Sequence, residues 1–229
     1  TRCMALLSAA FIAAIVHILL WPNNLFNLLK QKISKAVAIS AQILSKLLVI
    51  DNKEKEKLEK LILPLAATLP TSTALLHDAE YIICEDDLHA EEFVKIIESI
   101  EKVYVDLETL KRTIYYNTDS ELFPLYLANM EPFYKRISAA FDEVSSQFNL
   151  DNDFAVEISS IAEGMQKHRI EFRNSGVWRS FKPEDVEQSV LVATSIDSLL
   201  DTLSQISIAI GKVNQSKPDM KSVLLTKEA

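Results

Sequence analysis

The stretch 88–117, LHAEEFVKIIESIEKVYVDLETLKRTIYYN, decides the fold class. Ile96, Ile100, Val103, Leu107, Leu110 and Ile114 recur at alternating intervals of four and three. That spacing stacks them along one side of an α-helix, whereas a strand would divide them between two faces. The seam runs for under three heptads. It therefore suits helices crossing at a shallow angle within one chain better than a long coiled coil. A helix with one apolar stripe must bury it against a neighbour.

The flanking sequence supplies those neighbours. Downstream, Leu122, Tyr126, Met130, Phe133, Ile137, Ala140 and Val144 predict a helix over 120–148, with Pro124 in its first turn and a bend at Pro132. Phe154, Ile158, Ile161, Met165, His168 and Phe172 repeat the seam over 152–173, and Asn174-Ser175-Gly176 reads as a helix stop. Lys182-Pro183-Glu184-Asp185 opens a last long helix, with Val186, Val190, Ala193, Ile196, Leu200, Leu203, Ile206, Ile210 and Val213 expected inside. Upstream, Leu25, Leu29, Ile33, Val37, Ile43, Leu44 and Leu47 give another amphipathic helix. The run KEKEKLEK at 53–60 reads as a solvated helix face. Pro64 and Pro70 are expected to limit or kink the helix after it, with Thr71 or Ser72 capping a new one through Cys84. Long helices with short loops predict an all-α, elongated antiparallel helical bundle over 23–213, followed by a polar tail or linker at 214–229.

Composition agrees. The chain of 229 residues has 3 glycines, where ordinary usage gives about sixteen. Sandwiches, barrels and phosphate-cradling loops all lean on glycine, so they are disfavoured. Two cysteines, Cys3 and Cys84, cannot build a disulfide framework. A net charge of −8 argues against nucleic acid as a partner.

The charge is unevenly placed. Residues 4–21, MALLSAAFIAAIVHILLW, contain no Asp, Glu, Lys or Arg. As a helix they would span roughly 27 Å, close to the hydrocarbon thickness of a bilayer. One transmembrane helix is therefore expected ahead of the bundle, within 1–22. Trp21 and Pro22 stand at its end, and Lys30, Lys32 and Lys35 form a basic neck without acids, suited to a membrane interface. With 19 basic and 32 acidic residues after position 50, the body carries −13. A small-residue face at Ala9, Ala10, Ala13 and Ala14 suits packing on other membrane helices. The chain opens on Thr1, so we expect a piece of a longer protein, with this helix the last of several. A secretory signal is disfavoured because the lysines follow the apolar run. A buried core helix is the other reading.

Catalytic motifs are missing. There is no Gly-rich phosphate loop, G-x-S-x-G or H-E-x-x-H, so neither enzyme activity nor a cofactor is expected. His77, Cys84 and His89 share an acidic stretch, but their spacing fits no metal pattern, and a polar helix junction is the expectation. His168 sits on a seam and reads as a partly buried structural histidine. His17 is a candidate intramembrane polar site, because an imidazole inside lipid tends to face a bundle or a water path. Lys167, Arg169, Arg173, Arg179 and Lys182 cluster with one acid, Glu171. Lys167, Arg169, Arg173 and Arg179 are candidates for an anion or partner contact.

Arg2, the run His17-Ile18-Leu19-Leu20-Trp21-Pro22 and the neck from Leu25 to Leu48 together resemble the fusaric acid resistance family of bacterial efflux proteins. The resemblance covers about the first fifty residues. It implies the cytoplasmic helical domain that follows the first membrane bundle of an inner-membrane exporter of aromatic acids or drugs. It also implies a structural or assembly role, with membrane lipids and the protein's other membrane helices as contacts. A homo-oligomer, a periplasmic adaptor and an outer-membrane channel belong to the same expectation. Two other readings are a single-span membrane-anchored adaptor or scaffold binding a protein partner, and a soluble helical enzyme with no identifiable site.

Overall fold

The computed structural model describes residues 27–47, 52–82, 88–116, 122–149 and 155–215. Six helices carry them: α1 over 27–47, α2 Asn52–Ile82, α3 Leu88–Tyr116, α4 Leu122–Ser146, α5 Ala155–Asn174 and α6 Pro183–Gln215. Two 3-10 turns, Gln147–Asn149 and Val177–Ser180, link them. No strand occurs among the described residues, and the fold is all-α. The apolar segment 4–21 lies outside them. Among the described residues no helix is long and apolar enough to cross a membrane.

The central element is α6, 33 residues long. It packs extensively on α3, and also on α4, α5 and the Gln147–Asn149 turn. Being surrounded, it buries far more than one stripe: Val192, Ile196, Leu199, Leu203, Ile206 and Ile210 are all fully covered. Thr202 and Ser207 are buried too, and the Thr202 hydroxyl donates to the Ser198 carbonyl, which satisfies it inside the apolar core. Two expected core positions stay outside the core: Val190 is 58 % exposed and Val186 half-buried, because both border an open cleft rather than a neighbouring helix.

Cross-helix contacts fix the directions. Glu92 meets Lys212 at 3.3 Å and Lys102 meets Asp201 at 3.9 Å, so α3 and α6 run antiparallel. Ser34 donates to the Ser145 carbonyl at 2.6 Å and Ser138 to the Ala41 carbonyl at 3.2 Å, so α1 and α4 do as well. Rings of Tyr126 and Phe172, and of Phe133 and His168, pair α4 with α5 in the same sense. At one end of the bundle Phe93 stacks on Phe148 at 6.4 Å, the Lys30 ammonium sits 5.9 Å from the Phe148 ring, and Asn214 donates to the Gln147 carbonyl. Asn214 thus belongs to the packed bundle, and α6 continues through Gln215.

Neither Pro64 nor Pro70 ends its helix, as the sequence had allowed. A single helix, α2, runs through both. Leu58, Ile62, Leu65, Leu69, Ser72 and Leu76 continue one seam across them, packed on the core, while both prolines face solvent. Burial of that seam outweighs the helix cost of exposed prolines. Thr71 and Ser72 are not caps; their hydroxyls donate back to the Ala67 and Thr68 carbonyls. Helix α4 likewise continues across exposed Pro132.

One carboxylate faces the α3–α6 seam. Burial raises the Asp106 pKa, partly offset by a hydrogen bond from Ser198 and by the charge on Lys102. The native carboxyl therefore holds its proton to higher pH than the unfolded one. Its contribution to stability is greatest at acid pH and is lost as pH rises through the native pKa. Asp106→Asn keeps an acceptor for Ser198 without the charge. Thermal melts should show it more stable than the parent chain at neutral pH, with the advantage vanishing below the ordinary aspartate value of about 4.

Candidate functional site

The hairpin between α5 and α6 shapes an apolar cleft. Helix α5 stops where Ser175 and Gly176 donate their N–H groups to the Glu171 and Arg173 carbonyls. Gly176 has φ 75°, a left-handed conformation that costs other residues roughly 1–2 kcal/mol. The chain then folds back, and the Trp178 indole N–H donates to the Arg173 carbonyl at 2.7 Å. Pro183 begins α6, and Glu184 and Asp185 in its first turn complement the helix dipole. The Lys182 carbonyl accepts from the backbone N–H groups of Asp185 and Val186.

The cleft has a volume of about 340 Å³. Tyr126, Phe172 and Trp178 form aromatic walls, and Val186, Val190 and Ala193 an aliphatic one. Tyr126 meets Phe172 edge-on at 6.2 Å. The polar groups are Arg169, Arg173 and Ser189. Ser189 is committed to the Asp185 carbonyl. Arg169 is committed too: it pairs with Asp197 at 2.9 Å and donates to the Ala193 carbonyl at 3.4 Å. Arg173 has no carboxylate within ion-pair distance among the described residues. The cleft therefore keeps one uncompensated positive charge beside apolar walls.

Next to Tyr126 lies a second buried tyrosine, Tyr134. Burial pushes the hydroxyl pKa of Tyr126 up and that of Tyr134 well up, while the Arg169 charge pulls both back in part. Both phenols are neutral at physiological pH. Their hydroxyls are neighbours, yet neither makes a hydrogen bond of ordinary geometry. An O–H buried without an acceptor is destabilising, so Tyr134→Phe should leave stability unchanged or raise it by up to about 1 kcal/mol, read as a shifted urea midpoint.

On the other side of Arg169, a groove of about 400 Å³ is lined by Glu163, Gln166, Asp197 and Asp201. Among the described residues no cluster of three His, Cys, Asp or Glu side chains is placed to hold a metal ion.

The structure brings together two of the four basic candidates picked out in the sequence. Arg169 and Arg173, one helical turn apart, both reach the cleft; Lys167 and Arg179 are exposed and do not line it. Of the neck lysines, Lys30 lies half-buried over Phe148, Lys32 is half-buried and Lys35 is exposed. His17, Trp21 and Pro22 lie outside the described residues, as does Cys84. His77 is exposed near the end of α2. His168 is half-buried against Phe133, with Nδ1 3.9 Å from Glu171 and a buried Nε2 that has no hydrogen-bond partner. Sequence reasoning missed Trp178 and Tyr126 as cleft walls. Trp178 carried a usable signal, an aromatic residue directly after a helix stop; Tyr126 looked like any other seam residue. No family model, characterised protein or solved structure matches the chain.

Proposed function

We propose that this chain is the cytoplasmic helical domain of an inner-membrane efflux transporter for aromatic acids or drugs, with a bracing or assembly role. The observation that carries the reading is the order of segments: an uncharged apolar run at 4–21, a basic neck, then an acidic helical body. The neck supports it further. Residues 27–47 form a helix whose apolar face is buried on the body and whose serine donates to α4. A membrane helix joined to such a neck would be coupled firmly to the bundle. Membrane lipids, other membrane helices of the same protein and further copies of it are the contacts this role requires.

The test is the intact mass of the native gene product and its fractionation in alkaline carbonate. A polypeptide much larger than 26 kDa that stays in the membrane pellet supports the transporter reading. A product near 25.8 kDa that pellets favours a single-span adaptor. Extraction into the supernatant overturns both. The adaptor reading draws on one observation of its own: Ile170, Val177, Val190 and Leu191 are exposed apolar side chains gathered around the α5–α6 hairpin.

A further inference from the structure

We propose that the α5–α6 cleft binds a small organic monoanion with a flat apolar body. The inference stands on the cleft alone and does not depend on the transporter reading.

Three features converge. The first is size. At about 340 Å³ the cleft lies within the range of small-molecule sites and is too small for a folded partner. The second is the wall chemistry. Phe172, Trp178 and Tyr126 offer π-surfaces at low conformational cost, since Trp178 is already held by its bond to the Arg173 carbonyl. The third is the charge balance. Asp197 neutralises Arg169, whereas Arg173 lacks a carboxylate among the described residues, which leaves one charge for a ligand to meet. A guanidinium can bind a carboxylate or sulfonate through two parallel N–H···O bonds.

A neutral aromatic would leave Arg173 unmatched, and an inorganic anion would leave the apolar walls unused. A dianion would exceed the one positive charge on offer. A planar ring system bearing a single carboxylate satisfies all three features.

The probe is 2-naphthoate, with its neutral isostere 2-naphthamide as comparison, titrated calorimetrically into the 229-residue chain. Quenching of Trp178 emission is isolated by difference against Trp178→Phe, which retains an aromatic wall. The expected result is binding of 2-naphthoate with a Trp178 signal, and at least about tenfold weaker binding of the amide. Arg173→Gln should weaken 2-naphthoate by the same factor and leave the amide unchanged. The Arg173 side chain is exposed, so this variant should keep the parent's melting temperature. Equal affinities for acid and amide, an unaffected Arg173→Gln variant, or no heat and no quenching with 2-naphthoate would each overturn the proposal.

Discussion

Replacing Leu203 with glutamate is expected to abolish folding at neutral pH. Leu203 is 0 % exposed on α6, the helix that α3, α4 and α5 share. An isolated carboxylate there would have neither water nor a cation to solvate it. The group would take up a proton instead, and a neutral carboxyl would still lack hydrogen-bond partners among leucines and isoleucines. Burying an unpaired charge belongs to the few single changes that cost more than about 4 kcal/mol, a large part of a domain's whole stability. Because burial raises the native pKa, the penalty grows with pH. Circular dichroism should show little cooperative helix at pH 7 and partial recovery in mild acid. A cooperative melt at neutral pH within a few degrees of the parent's would mean that α6 is not the centre of the core.

Phe141→Ala should produce the next largest loss. Phe141 lies fully covered on α4, three residues beyond Ser138, whose hydroxyl reaches the Ala41 carbonyl of α1. Truncation removes a buried ring and leaves a void that two helices tied by hydrogen bonds cannot easily close. The cost should be about 3–5 kcal/mol. For a chain of this size that lowers the melting temperature by roughly 6–20 °C. Chemical denaturation monitored by helix content provides the check. A smaller loss, below about 1 kcal/mol, would show that α1 slides to refill the space.

These two positions also show what could be read in advance. Leu203 stood in a visible i, i+3, i+4 pattern, so its burial followed from periodicity. Phe141 lay outside the single stripe assigned to its helix, because a helix with partners on two sides buries a wider arc than one seam predicts. The same limit hid α6's central place. Periodicity tells which face is apolar and says nothing of how many neighbours press on it. The prolines of α2 misled for a related reason: their local cost was legible, and so was the four-three spacing from Leu58 to Leu76, but only the packed structure shows that burial of this seam outweighs that cost. As for the cleft, the basic cluster was visible as charge, and Arg169 and Arg173 were named among its members. Their separation into a paired and an unmatched guanidinium depends on Asp197, 28 positions further along on another helix. No local pattern encodes that pairing.

The central helix is also the last of the six to be synthesised. Until α6 has been made, α3, α4 and α5 lack the surface they share. Their apolar seams stay open until α6 clears the exit tunnel, and the bundle can close only by contacts that reach far back along the chain. Translation of this segment therefore leaves an interval in which exposed apolar seams favour aggregation. A chain truncated within α6 would keep nearly all of its helices and lose its centre.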